Sequence, residues 1–209
     1  LKELFKIHSR ARRAWVLHRG FRSRDVPAPK GLALVESRSR LSGDPDYLIT
    51  EARGNLGDLQ DLVLQNSLRA SIKEEFRLSE SDYRELSRAV ARVFRELAKK
   101  DVRHRDMKPS NLLVDKTAEG FQISLTDLDC AKLESKWNKK YWIHHLAQCN
   151  AGLASDASLL DRMRCLRYCG RGRWDDRERL KIARKILEKS LTRNPMWLRS
   201  TGEKSDEES

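Results

Sequence analysis

His104-Arg105-Asp106-Met107-Lys108-Pro109-Ser110-Asn111-Leu112-Leu113 and, sixteen residues after Asn111, the triplet Asp127-Leu128-Asp129 decide how this chain is read. Each residue type has a chemical reason to stand where it does. Asp106 suits a group that accepts a hydrogen bond from an acceptor hydroxyl and turns it for in-line attack on a phosphate. Lys108, two residues on, would reach the transferring group and offset the charge developing there. Asn111 and Asp127 are hard oxygen donors of the kind Mg²⁺ takes while it bridges nucleotide phosphates. Between them, Leu112-Leu113-Val114-Asp115, a polar turn around Glu119-Gly120, and Phe121-Gln122-Ile123-Ser124-Leu125 read as a hairpin. Such a hairpin returns Asp127 to the end where Asn111 lies, so that one metal ion touches both.

Upstream, Ser79-Glu80-Ser81-Asp82 opens a long helix whose Tyr83, Leu86, Val90, Val93 and Leu97 form one apolar stripe. It ends near Lys99-Lys100 and delivers the chain directly into His104. A shorter helix is expected over Leu56 to Leu64. Before it, Gly31 to Glu36 and Asp46 to Glu51 read as two strands around a polar turn at Ser42-Gly43-Asp44-Pro45. Ser9 can cap a helix to about Arg24, with Ala11, Ala14, Trp15, His18 and Phe21 on one face. Val26-Pro27-Ala28-Pro29 ends it, because each proline forces its predecessor toward extended geometry. Helix, strand, strand and the polar link Ala52-Arg53-Gly54-Asn55 follow the order of the second half of a kinase N-lobe with its hinge. In that frame Glu51, Ala52 and Arg53 contribute backbone groups to the adenine edge of ATP.

Downstream, the spacing predicts a helix beginning at Ala131 that Asp129 would cap, then a mixed aromatic and basic stretch from Trp137 to Cys149. Another helix starts at Ser155-Asp156 and runs through Leu159, Leu160, Met163 and Leu166; Asp175-Asp176 opens a last one to about Ser190. The expected architecture is α+β, a two-lobe protein-kinase-like fold. Residues 1–53 make a partial N-lobe of one helix and two strands with its hinge, residues 54–200 a mainly helical C-lobe carrying the catalytic-loop hairpin, and residues 201–209 a disordered acidic tail.

Composition narrows the setting. Of 209 residues 39% are hydrophobic and 35% charged, and no apolar run approaches the ~20 residues a membrane span needs. No signal-peptide pattern opens the chain, so a cytoplasmic protein is expected. Cys165 and Cys169 can meet on one helix face, but no histidine sits near them in sequence to complete a zinc site, and reduced thiols are the expectation. The net charge is +12. Arg10, Arg12, Arg13, Arg19, Arg22, Arg24, Lys30, Arg38 and Arg40 face only Asp25 and Glu36 in the same stretch. Such a patch suits a phosphorylated glycan, an anionic leaflet, a nucleotide or nucleic acid, which charge alone does not separate.

The chain resembles the Kdo/WaaP lipopolysaccharide kinase family, a branch of the protein-kinase-like fold. The likeness runs from Ser9 to about Ser190 and rests on Ser9-Arg10-Ala11-Arg12-Arg13-Ala14-Trp15, Val26-Pro27-Ala28-Pro29 with Leu32-Ala33, Tyr47-Leu48-Ile49-Thr50-Glu51, the catalytic stretch and Asp127-Leu128-Asp129. It implies ATP-dependent phosphorylation of an inner-core sugar, with Mg²⁺, on an anionic glycan or glycolipid at the cytoplasmic face of the inner membrane. No specific nucleic acid partner is expected. The departures lie at the start. The Gly-rich loop and the strand with the phosphate-binding Lys are expected upstream of Leu1, since Lys2 and Lys6 sit too close to the first helix. Ala14 falls about where that helix should carry a Glu, and Glu3 is poorly spaced to replace it. A protein Ser, Thr or Tyr kinase and a partner-binding pseudokinase are the alternatives.

Overall fold

The computed structural model describes residues 9–37, 45–68, 77–134, 136, 138–153 and 157–193. The expectations for Lys2, Glu3, Lys6, Ser42 to Asp44, Trp137, Ser155-Asp156 and the acidic tail lie outside the described residues.

Helix α1 (Arg10–Arg22) begins where Ser9 accepts a hydrogen bond from the Arg12 amide, and it buries His18 and Phe21. Its exit is pinned twice. The Val26 amide donates to Phe21 O at 3.0 Å, and Pro27 O accepts from the Leu125 amide at 2.8 Å. Strands β1 (Gly31–Val35) and β2 (Tyr47–Thr50) pair antiparallel with Ala33 opposite Ile49. This pair leaves Leu32, Tyr47 and Ile49 exposed. The link that follows lies along the catalytic hairpin. Gly54 and Asn55 amides both donate to Asp115 Oδ1 at 2.9 Å, and the Val114 amide donates to Gly57 O at 2.9 Å.

Helix α2 (Leu59–Leu68) starts after Asp58, three residues later than its sequence suggests, because the Asp58 carboxylate accepts the Gln60 and Asp61 amides and caps it there. Helix α3 (Glu80–Lys99) carries a full capping box between Ser79 and Asp82. Burial pushes the Asp82 carboxyl up, but hydrogen bonds from Lys116 and Ser79 prevail and bring it down to about 2. The apolar stripe of α3 is the centre of the core, with Phe94 and Leu97 buried against Met107, Leu112 and Leu125. Each such side chain contributes about 1.5–3 kcal/mol.

Next come β3 (Val102–His104), a 3-10 turn at Pro109–Asn111, β4 (Leu112–Thr117), β5 (Gly120–Leu125) and a 3-10 turn at Leu128–Cys130. Then β6 (Ala131–Leu133) pairs antiparallel with β3, His104 opposite Ala131. The segment after Asp129 is therefore a strand and not a helix, and Asp129 caps nothing. The backbone amides of this segment are used by β3, so a helical turn would leave that strand unpaired. Helices α4 (Lys139–Gly152), α5 (Leu159–Cys169) and α6 (Asp176–Arg193) complete the described chain, with Ser158 accepting the Asp161 amide at the start of α5. α5 packs on α3 and α6 on α4. All four cysteines are free thiols.

Candidate active site

The hairpin closes the catalytic stretch on itself. Leu112 stands opposite Leu125, and the Thr126 amide donates to Asn111 O at 3.0 Å, so Asn111 and Asp127 emerge at the same end of β4 and β5. Asn111 Nδ2 donates to Asp106 O at 2.8 Å. That bond engages the amide nitrogen, so a metal contact from Asn111 falls to Oδ1. Asp106 and Lys108 share the open side, with Lys108 Nζ 3.1 Å from Asp106 Oδ2 and side chains exposed by 50% at Lys108 and 40% at Asp106. Four predicted residues thus gather in one place.

Helix α4 sets the backbone of this loop. The Met107 amide donates to Gln148 Oε1 at 3.1 Å, and Gln148 Nε2 donates to Arg105 O at 2.7 Å. The His104 amide donates to His145 Nε2 at 3.1 Å, and the His104 ring bonds Asp127 O at 3.0 Å. Burial lowers the pKa of both histidines below the usual range, that of His145 to about 3. Both rings therefore stay neutral near neutral pH. His145 and Gln148 carry no motif, and sequence reading passed over them.

Asp127 stands in the left-handed region at φ 56°, a strained backbone for a non-glycine residue. Its carbonyl bond to His104 helps hold it there. Burial raises the Asp127 pKa, and the carboxylate of Asp129 beside it raises it further. Burial would also raise Asp129, yet hydrogen bonding and charge from Arg10 take it below the usual carboxylate range. Arg10 Nε lies 2.7 Å from Asp129 Oδ2, and Arg13 Nη2 donates to Asp129 O at 2.6 Å. Sequence reading placed these arginines in a basic face and expected a glutamate nearby; their tie to Asp129 has no local signature.

The donor set fits a hard cation. Asp127, Asp129 and Cys130 offer ligand atoms that lie within 4.8 Å of one another, and Asn111 adds a neutral oxygen on the same side. The Cys130 thiol is pushed up by burial and by Asp127, which keeps it protonated, so oxygen donors dominate. Glu51, Ala52 and Arg53 are not gathered with this group. Glu51 and Arg53 line a separate cavity of about 710 Å³ with Trp15, Pro29 and Phe121. The Glu51 backbone amide is already taken by Lys30 O at 2.9 Å, and the Glu51 carboxylate accepts the Lys30 amide at 2.8 Å.

The model of the lipopolysaccharide kinase (Kdo/WaaP) family matches residues 6–150. A solved structure of WaaP in complex with acyl carrier protein superposes with a TM-score of 0.67 at 22% identity, over 90% of this chain and 76% of that one. The kinase PK-1 of Cydia pomonella granulovirus aligns over 58% of this chain and 40% of its own, with a TM-score of 0.40 and 20% identity. The first likeness places the helix, strand pair, link and helical region described above within a protein-kinase-like fold.

Proposed function

Because the chain belongs to the lipopolysaccharide kinase (Kdo/WaaP) family, we propose that it transfers the terminal phosphate of ATP to a sugar hydroxyl of the lipopolysaccharide inner core. The family makes it a kinase; the acceptor and the residue roles are our reading. The observation that carries that reading is the bond from Asn111 Nδ2 to Asp106 O, which ties an acceptor-facing carboxylate to the metal-facing end of the hairpin. Asp106 accepts the hydrogen bond of the acceptor hydroxyl and orients its oxygen toward the phosphate. Lys108, already beside Asp106, moves to the transferring group and offsets its negative charge. Asn111 and Asp127 hold Mg²⁺, which neutralises the nucleotide phosphates when bound. Glu51 through its carbonyl, and Ala52 and Arg53 through backbone groups, serve the adenine edge, with residues 1–53 as partial N-lobe and hinge, 54–200 as C-lobe and 201–209 as an acidic tail.

The acceptor in this reading is an anionic glycan or glycolipid met at the cytoplasmic face of the inner membrane. Exposed Arg19, Arg22 and Arg24 near the end of α1 support it by charge. Among the described residues no helix is long and apolar enough to cross a membrane. A protein partner belongs to the same reading, since WaaP was solved with acyl carrier protein. Ala14 favours a second reading, partner binding without catalysis, because it supplies no carboxylate to a phosphate-binding Lys.

ATP turnover measured with truncated lipopolysaccharide and with a generic protein acceptor separates these. Transfer to the glycan, lost in Asp106→Asn while nucleotide affinity stays within about twofold, is the expected result. Transfer to protein alone refutes the glycan acceptor, and nucleotide binding with no turnover favours the second reading.

A further inference from the structure

Asp127 and Asp129 stand at the start of one 3-10 turn with carboxylate oxygens within 4.8 Å of each other, and both side chains are largely withdrawn from water. Two carboxylates this close repel each other unless a cation offsets the charge or a proton is shared. Arg10 supplies the cation unequally. Its Nε lies 2.7 Å from Asp129 Oδ2 and its Nη2 3.4 Å from Asp129 Oδ1, a two-point contact, while its approach to Asp127 is 3.6 Å. Arg13, from the next turn of α1, fixes the Asp129 carbonyl at 2.6 Å. α1 is therefore fastened to this loop at both the side chain and the backbone of Asp129.

We infer that Arg10 and Asp129 form a positioning pair that neutralises one carboxylate of the loop and leaves Asp127 as the sole anionic metal donor. The inference rests on the phosphotransferase reading of the same site. With Asp129 occupied, a cation entering between Asn111 and Asp127 meets one negative charge in one position. With Arg10 removed, Asp129 becomes a second anionic donor, and the bound cation is drawn away from the side where Asp106 and Lys108 stand. The pair also ties α1 to the loop, a contact separate from the Lys partner that Ala14 does not supply.

The test reads metal affinity and turnover separately. Mn²⁺ binding to the free protein is followed by electron paramagnetic resonance, and ATP turnover is measured on the same preparations. Arg10 is 77% exposed as a side chain. Arg10→Gln should therefore melt within about 2 °C of the wild type. It should bind Mn²⁺ about fivefold more tightly, because a competing cation is gone and a carboxylate is freed. Its kcat should nevertheless fall about tenfold with KM for ATP within about twofold. Arg10→Lys should recover most of both. Asp129→Asn should weaken Mn²⁺ binding, since Arg10 then turns to Asp127, and the double variant Arg10→Gln/Asp129→Asn should return close to wild-type affinity. A double variant as weak as Asp129→Asn makes Asp129 a metal ligand and overturns the inference, as does Arg10→Gln with unchanged or weaker Mn²⁺ binding. A protein that shows this order of Mn²⁺ affinities yet never turns over ATP keeps the pair and refutes the phosphotransferase reading.

Discussion

One buried ring that refuses a proton should make the fold less stable as pH falls, and the effect can be sized. His145 is 1% exposed and accepts the His104 amide on Nε2 at 3.1 Å, which requires a free lone pair there. Burial first, and then the neighbouring His104 and His144, lower its pKa from 6.5 to about 3. The sign follows from where the proton is taken up. As pH falls through 6.5 the unfolded chain protonates this residue, while the folded chain refuses the proton until about pH 3, so stability is lost across that window. Between about pH 7.5 and 5.5 the loss from this one group is about 1.4 kcal/mol. Urea denaturation of the wild type and of His145→Gln, whose amide oxygen can still accept the His104 N–H, isolates it. The variant should be less stable by about 1 kcal/mol at the higher pH. That gap should close or reverse at the lower pH, because the variant lacks the titrating ring. His104 shifts in the same direction but is present in both proteins. A gap of constant size across the window refutes the reasoning, since the ring would then not be held neutral by its burial.

A Cβ at Gly152 would lie 2.5 Å from Pro109 Cδ, and a proline ring moves only with its backbone, so Gly152→Ala should shift the catalytic loop. A stability loss of about 1–3 kcal/mol by thermal melting and a clear fall in kcat are expected, and an unimpaired enzyme would count against this account of the loop. Gly120 has φ +107° and a Cβ there would run into Glu85 Oε1, so Gly120→Ala should cost about 1–3 kcal/mol. Adding Glu85→Ala should recover only the contact part of that cost, and full recovery would mean that the turn is unstrained. Excess Mg²⁺ should partly rescue turnover in Asn111→Ala, which loses a neutral oxygen, and hardly in Asp127→Ala, which loses a charge. Equal rescue of the two would place the metal elsewhere.

What was legible in the sequence follows the range of each interaction. Ser9 and the Ser79–Asp82 box marked two helix starts because capping is settled within three residues. The hairpin and its turn were legible for the same reason, with Leu112 opposite Leu125 and Thr117 opposite Gly120. Ala131 to Leu133 was misread as helical because its partner, Val102 to His104, lies nearly thirty residues earlier and nothing local announces the pairing. Arg10 was visible only as charge. Its bond to Asp129 spans 119 positions, and no spacing rule reaches that far.

The four residues that carry the proposed chemistry all come from the motif, but the bonds that set their backbone come from α4. The match between the two is geometric. His145 and Gln148 are three apart on one helix, so they face the same way about 4.5 Å apart along its axis. The amides they accept, those of His104 and Met107, are likewise three apart, and both bonds span 41 positions. A ring acceptor and an amide acceptor therefore grip the loop at its entry and just past Asp106, with Gln148 returning a donor to Arg105 O. Asp106 sits between these grips, and among the described residues its carboxylate pairs with Lys108. Rigid backbone under a solvent-facing carboxylate is what a residue that orients an incoming hydroxyl requires. Losing one grip should thus show first as disorder in where Asp106 points. His145→Ala, which removes this acceptor, should accordingly lower kcat more than it raises KM for ATP.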